Sequence, residues 1–469
     1  MLSLLTLIVP STECGQWRQR ATISDGHNVN TMLTTRVEDT GNDGQALANH
    51  HARARARVPY ACAVLVTKGD DSVHLIKVRL AKLEGCLRDC VAVTKHPQNT
   101  AQRSGVTRYD EWYIISLTFT IKIITLLFGV HAFNAFQEAA PGSGSLEVWN
   151  RWDSLAYLNV ARHGYTSTGP DRVQLVMLPL YPFCVHALAV IARNYLISAF
   201  VVSGVAAAVA AVLLYKLTRL DNSRATALKA VWLMLIFPSS FFLHIAYAES
   251  LFLALAIGCL YAARSDRWMV SGITGALAAM TRINGLILIL ALATEAIQQF
   301  ISSRKWRSQW LWALAPLGGF AAYLFANYTT TGDALAFLSI QHENWHKSLD
   351  WPWRAIHGSF DLIRFGRPNE AAIRGLEESL FIVLGLACSV AAWLTMRPAY
   401  ASWMTLNWIL FTSVGFILCI PRYTLVMFPI YILLAHIARY RICAAIITTW
   451  CLLSSGLLIA LFVRGWWVS

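Results

Sequence analysis

An aspartate flanked by an arginine and a tryptophan is the first group in this sequence whose type and setting suit catalysis. The stretch Arg151-Trp152-Asp153-Ser154 opens a segment with helical spacing that continues to Tyr157. A carboxylate at that point can accept a proton from a hydroxyl group, as a general base does. The alternative is a helix cap, in which Asp153 or Ser154 opens a surface helix by accepting a backbone N–H bond.

A second carboxylate, Glu249, lies at the edge of an apolar run and follows His244 and Tyr247 closely in the chain. An ionisable side chain at membrane depth is a functional candidate by default, because an unpaired charge in a bilayer is costly. The alternative is again a helix cap, with the carboxylate reaching toward the membrane surface. The spacing alone does not decide between these interpretations.

Two arginines complete the set of candidate side chains. Arg282 interrupts the middle of a long apolar segment, and Arg422, followed by Tyr423, opens a late one. Arginine binds phosphate through parallel charge-assisted hydrogen bonds, so both residues suit a substrate that contains phosphate. The alternative partner of Arg282 is a protein carboxylate such as Glu249, and the alternative role of Arg422 is an anchor at the membrane interface.

The elements that must position these side chains are membrane helices. The chain is 56% hydrophobic and only 14% charged, whereas soluble domains average about 45–50% apolar and about 25% charged residues. The clearest apolar runs are Trp112–Phe133, Leu196–Tyr215, Ser250–Ala263, Trp310–Tyr328, Leu380–Met396, Trp403–Ile420, Tyr423–Ile437 and Ala444–Val463. Because about 20 apolar residues cross a bilayer, we predict an all-α integral membrane protein with about nine to eleven transmembrane helices.

Two segments are expected to be broken within the membrane. Leu178–Ala192 contains Pro179 and Pro182, which favour a re-entrant or interfacial segment over a full crossing. Trp268–Ile297 is too long for one straight span and too short for two, and Thr281–Gly285 interrupts its middle. Broken helices persist in a bilayer only where protein or water satisfies the freed backbone, so they indicate cavities.

The net charge of +13 fits basic loops at the cytoplasmic membrane surface better than nucleic-acid binding. The basic connections are 216–229, 264–267, 304–307 and 439–441. Positive residues favour the cytoplasmic side, so the polar stretches Asn134–Gln174 and Thr329–Glu378 are expected to form two extracytoplasmic loops. The second of these holds several tryptophans, which predicts helices that lie on the membrane surface.

Residues 1–104 differ from the rest of the chain. They are rich in arginine, contain no spanning run and show little regular periodicity. We expect a basic, disordered N-terminal extension, for which an over-extended gene start is one explanation. The membrane domain is expected to comprise residues 105–469.

Taken together, these stretches resemble the PIG-V mannosyltransferases, which act second in GPI-anchor assembly and have bacterial homologues. The resemblance is carried by Arg151–Tyr157 with His163-Gly164-Tyr165, by Leu178–Pro182, Phe237–Ser250 and Thr281–Leu286, and by Pro421–Pro429 late in the chain. It covers about Trp149 to Leu290. The family pattern reads Phe-Pro-Leu-Tyr-Pro, Tyr-Ser-Glu-Ser and Ser-Arg-Tyr, so Leu178, Ala248 and Pro421 depart from it without removing a charged residue.

The resemblance implies a polytopic GT-C-type helical bundle and a membrane glycosyltransferase. Such an enzyme transfers a sugar, here expected to be mannose, from a polyprenyl- or dolichyl-phosphate donor to a lipid-linked or glycan acceptor with inversion. Asp153 corresponds to the family's usual candidate base, and Arg282 and Arg422 would hold the leaving phosphate. The other substrate-binding candidates are Arg151, Trp152, Tyr157, His244, Tyr247, Glu249 and Tyr423. No cofactor is implied, and a divalent metal stays compatible with the sequence.

The rival class is a polytopic transporter or lipid flippase, which also uses broken helices and buried charges. Transporters often contain internal repeats, and none is evident in this sequence, which favours the enzyme. The expected partners are the lipid-linked donor, the acceptor and membrane lipids, without nucleic acid. A bacterial chain would lie in the inner membrane and a eukaryotic one in the endoplasmic reticulum, with the active site on the extracytoplasmic or lumenal face.

Overall fold

The structure is a computed structural model that describes residues 108–136, 144–345, 350–365, 370–414 and 419–468. These residues form sixteen α-helices joined by turns and short 3-10 helices, which confirms the predicted all-α class. The expected N-terminal extension, residues 1–104, lies outside the described residues.

The helices alternate between long spans and short segments. In chain order they are α1 Arg108–Phe136, α2 Asp153–His163, α3 Leu180–Ala192, α4 Tyr195–Arg219, α5 Arg224–Ile236, α6 Glu249–Arg264, α7 Trp268–Ala279, α8 Ile287–Ser303, α9 Ala315–Thr331, α10 Ala336–Trp345, α11 Pro352–Phe365, α12 Glu370–Thr395, α13 Pro398–Thr412, α14 Ile420–Leu425, α15 Pro429–Ile437 and α16 Arg441–Val463. The 3-10 helices are Glu147–Trp149, Pro170–Val176, Ser240–Leu243, Ile283–Leu286 and Ser308–Leu314.

Among the described residues, five helices are long and apolar enough to cross a membrane, or up to six if one bent pair is counted as a span. The five correspond to α1, α4, α8 with the 3-10 turn before it, α12 and α16. The expected nine to eleven transmembrane helices is therefore too high for helices of full spanning length. The reason is that several apolar runs are short or broken: α6 has 16 residues, or about 24 Å of helix, against a hydrocarbon core of about 30 Å.

Both regions that were expected to be broken contain an interruption, but in the first it lies before Leu180, and α3 continues through Pro182 without a break. The 3-10 helix Pro170–Val176 and α3 meet at a bend of 111°, and the 13 residues of α3 extend only about 20 Å. Further along, α7 ends at Ala279 and α8 begins at Ile287. The backbone N–H of Leu180 donates to the carbonyl of Met280 at 3.1 Å, so the two interruptions contact each other.

The second polar stretch, Thr329–Glu378, is largely helical where the structure describes it. It contains α10, α11 and the start of α12. Trp353, Phe360 and Ile363 of α11 are exposed, and the helix carries polar residues between them. Such a pattern is typical of helices that lie on a membrane surface, and that location stays a prediction.

Small residues allow close packing between helices. Buried alanines of α4, from Ala206 to Ala211, lie against α6. A Cβ atom added to Gly319 of α9 would lie 2.0 Å from the carbonyl oxygen of Ala276 in α7. Helix pairs in membranes gain most from such close approach, because lipid gives them no hydrophobic driving force.

One end of the bundle is tied together by ion pairs at the basic connections. The pairs are Asp110–Arg224, Glu111–Lys216, Asp221–Arg264, Asp266–Arg307 and Glu295–Arg397. They join the start of α1, the α4–α5 and α6–α7 connections, and the residues around the end of α8. We call this the basic end. The α5–α6, α7–α8 and α13–α14 connections therefore lie at the opposite end.

Candidate active site

The α5–α6 connection, residues 237–248, is a buried loop that interrupts the helical backbone between α5 and α6. Such a loop needs partners for its carbonyl groups. Lys122 of α1 donates from Nζ to the carbonyl oxygen of His244 at 2.5 Å, and Ser203 of α4 donates to the carbonyl oxygen of Tyr247 at 3.0 Å. These two bonds fix the loop just before Glu249, the first residue of α6.

Lys122 fits between α1 and α4 because Gly204 leaves room for it. A Cβ atom on Gly204 would lie 3.2 Å from the Lys122 Nζ. The ammonium group also donates to the carbonyl oxygen of Phe200 at 3.0 Å. A charged side chain in a spanning helix therefore has polar partners, as a buried charge requires.

The α7–α8 interruption presents Arg282. The chain turns sharply there, and a Cβ atom on Gly285 would lie 2.3 Å from the backbone nitrogen of Ala279. Asn284 donates from its amide to the side-chain oxygen of Asn407 in α13 at 2.8 Å. Glycine at the turn and the asparagine pair hold the interruption against α13.

The third connection presents Arg422 on the short helix α14. Its N-cap residue, Cys419, has a φ of +75°, a left-handed conformation that is uncommon for residues other than glycine. Glu378 of α12 accepts hydrogen bonds from the backbone N–H groups of Cys419 and Ile420 at 2.7 and 2.8 Å. A buried carboxylate thus anchors the helix that carries Arg422.

Asp153 reaches this region from the start of α2. The N-cap of α2 is Trp152, and no side-chain cap bond is made there. Instead, Arg422 donates from Nη1 to Asp153 Oδ2 at 2.7 Å, while Ser154 donates to the side-chain oxygen of Asn150. The capping alternative for Asp153 and Ser154 is therefore wrong.

Four charged side chains meet in what we call the charge cluster: Asp153, Glu249, Arg282 and Arg422. Arg282 Nη1 donates to Glu249 Oε1 at 2.5 Å. Arg422 Nε lies 3.2 Å from the same oxygen, an ion-pair contact without hydrogen-bond geometry. Glu249 is only 1% exposed, and its Oε2 has no hydrogen-bond partner among the described residues. Two acids and two guanidinium groups make the cluster neutral, with one acceptor atom unused.

This geometry answers two further alternatives. Glu249 is not a helix cap, since α6 begins with Ala248 as N-cap and no side-chain cap bond. Arg422 is not an interfacial anchor, because its side chain is 10% exposed and paired with two carboxylates. Arg282 does have the protein partner considered from the sequence, Glu249.

Aromatic rings surround the two guanidinium groups. The Arg422 guanidinium carbon lies 5.5 Å from the ring centres of Phe242 and Tyr247 and 5.8 Å from that of Tyr423. Arg282 lies 5.5 Å from the Tyr423 ring. The quadrupole of an aromatic face attracts such cations, so the rings help to hold both arginines in place without neutralising them.

Tyr157 and Arg151 border the cluster by other means. Tyr157 is buried and packs edge to face against Tyr181 and Tyr247, with ring centres 5.0 and 6.5 Å apart. The Tyr247 hydroxyl donates to the backbone carbonyl of Arg151 at 3.1 Å. The Arg151 side chain turns away, because its Nε donates to the carbonyl of Val148.

His244 and Trp152, like Arg151 and Tyr157, have no described contact with the four charges. The imidazole of His244 is buried, and neither ring nitrogen has a hydrogen-bond partner among the described residues. Trp152 is 38% exposed and contacts Trp467 instead. Its φ of +56° and ψ of −122° are strained for a residue with a side chain, at a cost of about 1–3 kcal/mol.

Sequence reasoning missed three residues that support the cluster: Lys122, Phe242 and Glu378. A lone lysine within the first apolar run was a usable signal, as was a glutamate at the start of a late one. Phe242 gave no signal, because one phenylalanine in an apolar segment is unremarkable. Within the described residues, no group of three or more His, Cys, Asp and Glu side chains could hold a metal ion.

Comparison with known proteins gives one family match. Residues 128–313 match the family model described as Mannosyltransferase (PIG-V). The match includes α2, the α5–α6 loop and Arg282, and it ends before Arg422. It confirms the resemblance found in the motifs and supports a membrane glycosyltransferase. No curated protein matches the sequence with significance.

Two solved structures of an archaeal oligosaccharyltransferase from Archaeoglobus fulgidus are similar at low identity. The one with zinc and sulfate has 13% identity and a TM-score of 0.39, over 73% of this chain and 53% of that one. The other is AglB with an inhibitory peptide and a dolichol-phosphate, at 12% identity and a TM-score of 0.38, over 77% and 57%. The chain therefore spans only about half the length of these proteins.

Proposed function

We propose that this protein transfers a sugar, mannose, from a polyprenyl- or dolichyl-phosphate donor to a lipid-linked or glycan acceptor, with inversion at the sugar. The observation that carries the proposal is the charge cluster, in which a carboxylate on a polar loop meets two buried arginines. Three of its four members lie within the segment that matches the mannosyltransferase family. The family match supports mannose as the sugar, and the two arginines suit a donor that contains phosphate.

Arg282 and Arg422 would bind the phosphate of the donor. A guanidinium group offers parallel N–H donors that match two phosphate oxygens. As the bond between sugar and phosphate breaks, negative charge builds on the leaving phosphate, and fixed cations stabilise that charge most in a site with little water. The aromatic rings around both arginines would keep them in position before the substrate arrives.

Asp153 would act as the general base. It accepts the proton of the acceptor hydroxyl while that oxygen forms a bond to the anomeric carbon. The bond from the anomeric carbon to the phosphate oxygen breaks, and the lipid phosphate leaves with the electron pair. Attack from the face opposite the leaving group inverts the anomeric carbon.

In the structure Asp153 is paired with Arg422, which suggests an order of binding. The phosphate of the donor competes with Asp153 for the Arg422 guanidinium. When the phosphate takes that partner, the Asp153 carboxylate is free to accept a hydrogen bond from the acceptor. Donor binding would therefore free Asp153 to act as a base. Without a donor, Asp153 would stay paired with Arg422 and would not activate a water molecule.

The distribution of charge supports a proposal for the side of the membrane on which the site works. The ion-paired basic end carries the positive connections that favour the cytoplasm. The charge cluster is at the opposite helix ends, so we propose that it works on the extracytoplasmic or lumenal face. A lipid-linked donor suits that location, because a nucleotide sugar is confined to the cytoplasm while a lipid-linked sugar resides in the bilayer.

The test uses purified protein in lipid nanodiscs with radiolabelled polyprenyl-phosphate mannose and a membrane extract as the source of acceptors. We expect label to move to a new product while polyprenyl phosphate is released in equal amount. The rival function is measured in sealed vesicles that hold the same donor. Movement of intact donor across the vesicle membrane without cleavage would favour a flippase and overturn the proposal.

A further inference from the structure

The residue before the proposed base occupies an unusual backbone position. Ser154 N–H donates to the Arg151 carbonyl at 3.1 Å, which closes a tight turn with Trp152 at its first central position. The Trp152 angles, φ +56° and ψ −122°, are those of a type II′ turn, where glycine is strongly preferred. Strained residues of this kind persist where the surroundings enforce them, and they concentrate at functional sites.

The turn places a partly exposed tryptophan immediately before Asp153 in the chain. Trp152 is 38% exposed, and its ring meets that of Trp467 at a centroid distance of 4.6 Å and an angle of 67°. The two indoles are set edge to face and form a corner in which Trp152 is partly exposed. A tryptophan that served only as a membrane anchor would not need a strained turn to reach the interface.

The second wall of this corner comes from the segment that follows α16. Gly465 has a φ of +86°, and a Cβ atom on it would lie 3.3 Å from Nη1 of Arg151. The segment therefore contacts Arg151 through Gly465 and Trp152 through Trp467. Neither contact depends on the charge cluster, yet both fix the turn that leads into Asp153.

We propose that Trp152 and Trp467 form an acceptor subsite that binds the ring of a sugar. The inference rests on the proposed function, because Asp153 must lie within about 3 Å of the hydroxyl whose proton it takes. The ring that carries this hydroxyl then lies beside Trp152, one residue away. A partly exposed aromatic side chain offers a large flat apolar area, which matches the apolar C–H face of a pyranose. The acceptor is accordingly a carbohydrate, not the side chain of a protein.

The experiment measures contact with sugar separately from turnover. Methyl α-mannoside is added to the protein in nanodiscs, and saturation-transfer NMR reports which protons touch the protein. We expect the signal to fall about fivefold in Trp152→Leu and in Trp467→Leu, as the loss of an aromatic contact implies. Trp351→Leu is the matched control, because Trp351 is 62% exposed and stacks on Trp353 of α11; its signal should match the wild type.

A second variant protects the test from misfolding. Trp152→Gly suits the type II′ turn, so it should fold while losing the sugar signal. Retained signal in Trp152→Gly and Trp152→Leu would overturn the subsite, as would saturation transfer to a serine-containing peptide in place of the sugar. Donor cleavage is measured in the same samples. If the wild type cleaves the donor but the tryptophan variants keep the sugar signal, the subsite is wrong and the proposed function stands. If the wild type does not cleave the donor but the variants lose the sugar signal, the proposed function is wrong and the subsite stands.

Discussion

The two ends of the helical bundle both join carboxylates to arginines, but they do so differently. At the basic end, Asp221 takes two hydrogen bonds from the fork of Arg264, and Asp266 takes two contacts from Arg307. At the other end, Glu249 Oε1 is shared by two arginines while its Oε2 has no hydrogen-bond partner among the described residues.

The difference teaches how to separate structural charges from functional ones. A matched fork and carboxylate satisfy each other and leave little for a ligand. A shared acceptor leaves N–H donors that a phosphate can use. Burial does not distinguish the two ends, since the side chains of Arg264 and Arg422 are 8% and 10% exposed. The number of arginines on one carboxylate does: two contact the same oxygen of Glu249. Glu295 at the basic end also has an Oε2 without a hydrogen-bond partner among the described residues, but only one arginine, Arg397, pairs with it there.

The largest effect is expected at Asp153. Asp153→Asn keeps the size and polarity of the side chain but cannot accept a proton at neutral pH. Sugar transfer should fall by about a hundredfold or more, the usual contribution of a general base. Asp153 makes no cap bond, but it pairs with the largely buried Arg422, so some thermal stability should be lost with the charge. Turnover is therefore compared per amount of folded, membrane-inserted protein. Near-normal turnover in this variant would remove Asp153 from the reaction.

Arg422→Lys tests the shared arginine with a smaller effect. Lysine keeps the charge but loses the planar fork that reaches two partners. We expect turnover to fall about tenfold to a hundredfold, in the range seen when one donor to a developing negative charge is lost. Arg264→Lys is the matched control at the basic end and should keep full turnover. Equal losses in both variants would mean that the fork matters only for folding.

Exchanging charges within a pair sharpens the comparison through stability. Glu249→Arg with Arg282→Glu should not restore the protein, because the new arginine would face Arg422, now 3.2 Å from Glu249 Oε1. Breaking a buried pair typically costs about 3–5 kcal/mol. The matched exchange at the basic end is Glu111→Lys with Lys216→Glu, a partly exposed pair, which should stay within about 1 kcal/mol of wild type. Thermal unfolding in detergent measures the stability of both double variants. Wild-type stability in the Glu249/Arg282 exchange would show that these two residues form a pair that is independent of Arg422.

The smallest effect is expected for Arg307→Ala. Arg307 and Asp266 are about half exposed, and exposed ion pairs contribute about 0–1 kcal/mol. Turnover should be unchanged and the unfolding temperature nearly so. A marked loss of activity would show that the basic end takes part in the reaction, which would end the distinction drawn between the two ends.

The sequence predicts the members of the charge cluster because charges that interrupt apolar runs are conspicuous. Glu249, Arg282 and Arg422 were identified in this way, whereas Asp153 was identified from its arginine and tryptophan neighbours in the first polar stretch. The predicted topology placed all four at one end. The spacing did not predict which carboxylate pairs with which arginine, because Arg422 and Asp153 are 269 residues apart. The capping alternatives failed for the same reason, since a local pattern cannot show that a distant arginine competes for the carboxylate.

The helical class and both interruptions were also predictable from the sequence, whereas the number of full spans was not. An apolar composition indicates burial but does not distinguish burial in lipid from burial in protein. The α6 sequence therefore predicts a membrane span, although the helix is shorter than a bilayer core. The hydrogen bonds of Lys122 were not predictable either, because the carbonyl groups that accept them lie 78 and 122 residues further along the chain.

Lys122 also bears on how the protein is made. Helix α1 leaves the ribosome first among the described spans, with a mean hydropathy of 2.0 but with a lysine near its middle, where a charge costs about 2.5–3.5 kcal/mol on the translocon scale. The carbonyls that receive the ammonium belong to α4 and the α5–α6 loop, which are synthesised later. We therefore expect α1 to wait at the translocon until α4 arrives, so that the helices which build the site enter the lipid as a group.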